Sequence, residues 1–428
     1  MIHRSLREWS TLAISESGGE DAIPRWAADS LIATASASTL GGEDGERVLT
    51  ANHRQMRAQQ VVGVVAAPRV TLEILPKIDG LDLGGTRRRL IHMLARVFDI
   101  EVSSGNLADL EWQSRDVLEI LIRLFCNQLF EAVRRGLPRL YVLEEADLNA
   151  LRGRLNSHRQ FTVLAAAPQR LACRYDNLSP DIPLNQIMAA AVSQLIGIAR
   201  APENQRRLTE LSFAYAEVSR VPVAGLPWDR VILDRSNVSW GALLNLAKLF
   251  LGRRFQTTSS GPGRGYALLF EMNTLFEEYV GRMFQRALSG TDLSVRLQGP
   301  QDFALTTDAG ARRFATRPDI VISRAGKPVL IVDTKWKRLK DISENAKHGV
   351  GQADVYQMMA YSRVYGCPNV MLLYPHHNDI GASEGIIGGH TITGGDEARL
   401  SVASISLFDL ASVPDQARNL VAQMVRPA

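Results

Sequence analysis

Between residues 317 and 337 the sequence reads RPDIVISRAGKPVLIVDTKWK, and here Asp319, Asp333 and Lys335 have the types and spacing for phosphodiester chemistry. Asp333 and Lys335 stand two apart in an apolar run, so in a strand they share one face, while Leu330, Val332, Thr334 and Trp336 take the other. Asp319 follows Pro318 at the head of an earlier apolar run, and Arg324-Ala325-Gly326-Lys327 between the runs reads as a hairpin turn with a glycine available for positive φ. For the carboxylates to meet, Asp319 must oppose Asp333, which sets 321 against 331 and 323 against 329. The loop must then be odd in length, most simply the three residues Ala325-Gly326-Lys327. Two carboxylates and the Thr334 backbone carbonyl offer hard oxygen ligands to a divalent cation such as Mg²⁺ or Mn²⁺, which would neutralise a phosphodiester and activate water. Lys335 would orient that water or stabilise the phosphorane. A plain hairpin with an edge ion pair fits the same residues. The flanking runs, however, are those of strands buried on both faces, where charge needs a reason.

The neighbouring sequence supplies elements to position these groups. Residues 270–288 carry a helical stripe through Met272, Leu275, Phe276, Tyr279, Val280, Met283, Phe284 and Ala287. Residues 293–298 alternate like a strand, 351–366 read as a helix ended by Gly366, and 369–375 as a buried strand, giving the order αβββαβ.

That order, with its acids on the second and third strands, resembles the PD-(D/E)xK nuclease fold. Gln357 and Tyr361, four apart on one helical face, are similar to the Q-x-x-x-Y signature of RecB-like members, which supports the site. Glu277 resembles the extra acidic ligand of some members, with Glu278 beside it as the other candidate. The phrases MNTLFEEYV, RPDIVI, VDTKWK and DVYQMMAYSRVYG, with VTLEILPKI, LRGRLN and CRYDNLSPDIPLNQIM upstream, resemble the McrC family of McrBC-type restriction systems.

The resemblance implies an α/β, multi-domain protein whose β-rich and helical N-terminal region precedes a PD-(D/E)xK restriction-endonuclease-like domain. It implies a metal-dependent endodeoxyribonuclease acting in phage defence on DNA carrying modified cytosine, with catalytic Asp319, Asp333, Lys335, Glu277, Gln357 and Tyr361. Mg²⁺ or Mn²⁺ would be held by Asp319, Asp333, Glu277 and the Thr334 carbonyl. No G-x-x-x-x-G-K-[ST] loop occurs, so GTP would be bound by a partner, a McrB-type AAA+ ring, hexameric, stimulated by residues 1–260. A stand-alone RecB-like repair nuclease and a non-enzymatic activator of the ring are the alternatives.

Composition agrees with a soluble, globular, cytoplasmic protein of two or three domains. The chain has 428 residues, 46% of them hydrophobic, and a formal charge of +4. Its three cysteines are unclustered, its first residues are no signal peptide, and no apolar run spans a membrane. From Arg312 to Lys347 ten basic residues face four acidic ones, as contact with a phosphate backbone would need. The expected division is 1–105, β-rich and partner-docking; 106–256, mainly helical; and 262–428, the nuclease. Strands are expected near 46–51, 60–66 and 69–75, after a Gly41-Gly42 loop. Helices are expected at 116–134, 183–198 and 240–251, and a flexible boundary at Thr257–Gly265. His376-His377 read as a surface loop without a role.

Overall fold

The computed structural model describes residues 1–16, 19, 21–40, 47–100, 115–235, 237–252, 255–258, 265–339, 350–393 and 398–425. The Gly41-Gly42 loop, most of the Thr257–Gly265 boundary, and Lys340, Asp341, Glu344 and Lys347 of the basic run fall outside them.

Two compact units form, Met1–Leu118 with Arg254–Ala428, and Glu119–Arg253. In the first unit, a five-stranded sheet places Ile2–Arg7 parallel to Val70–Leu75. The sheet continues antiparallel through Val61–Ala67, Gly265–Glu271 and Phe255–Thr258. Every residue of Val61–Ala67 and Val70–Leu75 is buried, as the apolar character of the first strand leads one to expect, and the second takes Thr71 and Glu73 into the interior with its apolar residues. Helix Arg25–Ser36 packs Ala27, Ala28 and Leu31 into the core beneath this sheet. Glu73, fully buried in the sheet, is held by a two-pronged pair to Arg87 at 2.7 and 2.6 Å.

A second sheet of the same unit holds six strands in the order Leu293–Leu297, Ile320–Arg324, Lys327–Thr334, Asn369–Pro375, Ala398–Ile405, Gly385–Ile392. The two central pairings, of Lys327–Thr334 with Asn369–Pro375 and of the latter with Ala398–Ile405, are parallel. Helix Met272–Ala287 turns Met272, Phe276, Tyr279, Val280 and Phe284 inward, matching the expected stripe, while Phe270 and Glu271 belong to the preceding strand. Helix Gln352–Val364 and strand Asn369–Pro375 form where the sequence places them.

The expected order αβββαβ needs correction. A separate hairpin, Asp302–Thr306 with Arg312–Thr316, stands between the first two strands, and two strands and helix Val413–Met424 follow the last. The expected turn is corrected as well. Pairing runs 320 with 332, 321 with 331 and 322 with 330, then shifts so that Ser323 meets Pro328 and Arg324 meets Lys327. The loop is therefore the two residues Ala325 and Gly326, both at positive φ (49° and 79°), as a tight hairpin whose strands twist correctly requires. A bulge at Val329 absorbs the odd residue, so Asp319 and Asp333 still fall in opposed register.

In the second unit, Leu140–Leu148, Leu171–Ser179 and Arg154–Leu155 form a small antiparallel sheet. Helices Val117–Arg134, Pro183–Ile196 and Gly241–Leu251 form close to the expected spans.

Candidate functional site

The site sits where Lys327–Thr334 ends against helix Gln352–Val364. Asp333 is 1% exposed. Its Oδ2 lies 2.6 Å from Lys335 Nζ, and its Oδ1 accepts from Gln357 Nε2 at 3.3 Å. Gln357 joins the cluster on three sides: its Oε1 accepts from Lys335 Nζ at 3.2 Å and its Nε2 also donates to Tyr361 Oη at 2.7 Å. Tyr361 Oη then donates to the Arg317 carbonyl at 3.1 Å, tying the helix to the segment that enters with Asp319. The four-residue spacing of Gln357 and Tyr361 thus places both over one strand end.

Asp319 is brought to the same place by a route that the sequence did not suggest. Its Oδ2 accepts from the Thr334 amide at 2.8 Å and from Thr334 Oγ1 at 2.9 Å, so Thr334 engages it through two donors. Glu277 accepts from Gln298 and lies within electrostatic reach of both aspartates. Asp354, one turn ahead of Gln357, stands 3.8 Å from Lys335 Nζ and 3.3 Å from Lys337 Nζ. Asp354 and the Thr334 side chain were not anticipated, although 354, 357 and 361 share one helical face at spacings of three and four.

Charge crowding sets the protonation chemistry. Burial, with Asp319 beside it, pushes Asp333 up to about 6 against the pull of Lys335. Burial also raises Asp319, opposed by its two bonds from Thr334. Burial and the two aspartates lift Glu277 to about 8. Although burial disfavours its charge, the surrounding carboxylates, Asp333 foremost, hold Lys335 above the ordinary lysine range. Burial lifts Tyr361 to about 12, so it stays a hydrogen-bond donor at neutral pH. The arrangement can store a proton among its acids next to a fixed ammonium.

The first strands of the chain secure the exit from this site. Trp336 Nε1 donates to Glu8 Oε1 at 2.7 Å, the Trp336 carbonyl accepts from Gln60 at 3.0 Å, and the indole ring packs on Phe276.

Fold and site together define a mixed α/β, multidomain protein with a buried carboxylate–lysine–amide cluster at a strand end. The family described as McrBC 5-methylcytosine restriction system component matches residues 56–375, and the chain belongs to that family. Among solved structures, it is similar to a chain of a half-complex from a tetradecameric assembly of Thermococcus gammatolerans McrB AAA+ hexamers with bound McrC. That likeness has 20% identity and a TM-score of 0.74 over 99% of this chain and 100% of the other. It is also similar to a chain of the Thermococcus gammatolerans McrBC complex, at 23% identity and a TM-score of 0.54 over 67% of this chain and 88% of the other. No curated protein matches it.

These findings correct the finer expectations. They place the chain in the McrBC family as a whole and not in McrC alone: the family covers the restriction system without dividing it, and the single chain matched end to end comes from an assembly of McrB AAA+ hexamers with bound McrC. The restriction-endonuclease-like fold class gives way to the mixed α/β, multidomain fold shared with that one chain. The assignments as PD-(D/E)xK endonuclease and phosphodiester hydrolase fall with it, as does the stand-alone repair nuclease, and the activator of a separate ring falls with the separate partner. The placing of GTP and the AAA+ GTPase in a separate partner falls too, because the chains it resembles come from complexes that include the AAA+ component, and the likeness does not set this chain apart from it.

The expected Mg²⁺ or Mn²⁺ centre is corrected on geometry. Lys335 occupies the approach to Asp333 and the Thr334 donors that to Asp319. Among the described residues, the group that brings three ligand atoms within 4.8 Å of one another is Asp79, His377 and Asp379, not Asp319, Asp333 and Glu277.

Proposed function

We propose that this chain is a working component of a 5-methylcytosine restriction system, and that its contribution depends on Asp319, Asp333, Lys335, Gln357 and Tyr361, with Glu277 at the rim. The observation that carries this reading is the Lys335 ammonium, 2.6 Å from the buried Asp333 carboxylate and 3.2 Å from Gln357, in a chain of the McrBC family. A buried ion pair is weak support for stability, because desolvation offsets most of its attraction, so a site with this many ionisable groups has a use beyond holding the fold. In this reading Asp319 and Asp333 hold and exchange protons, Lys335 supplies a fixed positive charge, and Gln357 and Tyr361 keep the ammonium and Asp333 aligned.

The three segments 1–105, 106–256 and 262–428 are proposed as the functional divisions of the chain, with the middle one largely coinciding with the compact unit Glu119–Arg253. A cytoplasmic setting, where such a system meets DNA, is supported by three buried free thiols. Among the described residues no helix is long and apolar enough to cross a membrane.

The test is restriction of methylated against unmethylated DNA in cells carrying the complete system. Asp333→Asn, nearly isosteric, should fold with an unchanged thermal transition and lower methylation-dependent restriction by about 10²-fold or more, the order by which loss of an acid–base group slows a reaction. Wild-type restriction by a folded Asp333→Asn chain would remove the cluster from function.

A further inference from the structure

We propose that Asp79, His377 and Asp379 form a binding site for a borderline divalent transition-metal ion such as Zn²⁺, held by one imidazole nitrogen and two carboxylates. Each of the three offers a ligand atom, and these atoms lie within 4.8 Å of one another. An independent observation comes from the imidazole itself. His377 is 5% exposed, yet neither of its ring nitrogens has a hydrogen-bond partner. Its Nδ1 stands 3.9 Å from Asp379 Oδ2, beyond hydrogen-bonding reach. A buried ring with both nitrogens unmet is costly, and it leaves a lone pair available to an ion.

Arg338 currently supplies the positive charge. Its guanidinium bridges the two carboxylates, on Asp79 through one nitrogen and on Asp379 through another at 3.2 Å. Arg338 is about a third exposed, so it can swing to solvent when a doubly charged ion takes its place. An imidazole with two carboxylates suits Zn²⁺ better than a cation that prefers all-oxygen shells, and three protein ligands leave a fourth position for water. Asp79 follows strand Val70–Leu75 and His377 follows strand Asn369–Pro375, so the ion would clamp the first sheet to the second within one unit.

Full-length protein stripped with chelator is titrated with Zn²⁺, and with Co²⁺ for its visible ligand-field absorption. One ion per chain, a raised Tm, loss of both in His377→Ala and in Asp379→Asn, and tighter binding in Arg338→Ala are expected. Asp379 is 71% exposed, so its variant keeps the test open where His377→Ala fails to fold. No ion bound by the wild type, or binding unchanged in Asp379→Asn, would overturn the site.

Discussion

Glu8 shows how far a single residue reaches across this molecule. It is 1% exposed, accepts from the Lys77 amide at 3.0 Å and from Trp336 Nε1 at 2.7 Å through the same oxygen, and leaves Oε2 without a partner. Burial outweighs those two bonds and lifts its pKa to about 7. The folded chain therefore binds this proton more tightly than the unfolded chain does. The associated stability is fully present below the unfolded value of 4.5 and declines as pH rises through about 7. At about 1.4 kcal/mol for each pH unit the loss comes to about 3 kcal/mol. Glu8→Gln keeps an accepting oxygen and removes the ionisation, so between pH 4 and pH 8 it should gain about that much relative to the wild type. Urea denaturation at the two pH values checks this, and parallel pH profiles for the two chains would refute the assignment. None of it was legible in the sequence, where Glu8 lies in a polar, charged N-terminal stretch. Its hydrogen-bond donors come from residues 77 and 336, far from it in the chain.

At the scale of elements, the sequence was legible where a stripe or a run had one interpretation. Helix Met272–Ala287 and strand Lys327–Thr334 follow from apolar spacing, and the shared face of Asp333 and Lys335 from their two-residue spacing, whereas the place of Gln357 beside them was implied by the family resemblance alone. The turn between the paired strands was not. Residues buried on both faces carry no alternation to fix register close to the loop, so a two-residue turn with a bulge and a three-residue turn without one fit the same pattern. Strand Gly385–Ile392 was missed for a similar reason, since three of its eight residues are glycine and it buries little. Two glycines separate the contributions of backbone conformation and space. Gly326 sits at φ 79° with nothing close to where a Cβ would stand, so Gly326→Ala should cost only the left-handed penalty of about 1 kcal/mol. Gly63, at φ 130° in strand Val61–Ala67, would drive a Cβ into the Leu268 carbonyl of the paired strand. Gly63→Ala should cost more than about 3 kcal/mol, since neither backbone can yield without breaking the ladder. Denaturation midpoints of the two variants, each against the wild type, decide it: equal losses would mean that the Gly63 contact relaxes freely.

For the whole molecule, the least legible feature was the return of the chain to its first sheet. Thr257–Gly265 carries the composition of a linker, yet the strands on either side of it, Phe255–Thr258 and Gly265–Glu271, pair with each other, and the second lies against Val61–Ala67. Local sequence cannot announce a pairing between residues 61 and 271, because each strand alone reads only as buried. The consequence is mechanical as well as topological. The site's strand ends in Trp336, which Glu8 and Gln60 hold from the first sheet, so the carboxylate cluster is braced by residues from the opposite end of the chain. A chain divided between residues 258 and 265 should therefore give two fragments that fail separately. Residues 1–258 would keep Val70–Leu75 beside Val61–Ala67 but lose Gly265–Glu271 from its other edge. Residues 265–428 would expose Gly265–Phe270, buried at every position in the intact chain, together with the indole face of Trp336. Produced together, the fragments should copurify and unfold in one transition that includes the first sheet. Size-exclusion chromatography and denaturation of each fragment alone provide the check, and a monomeric 265–428 fragment with its own cooperative transition would show that the site's sheet stands without the brace.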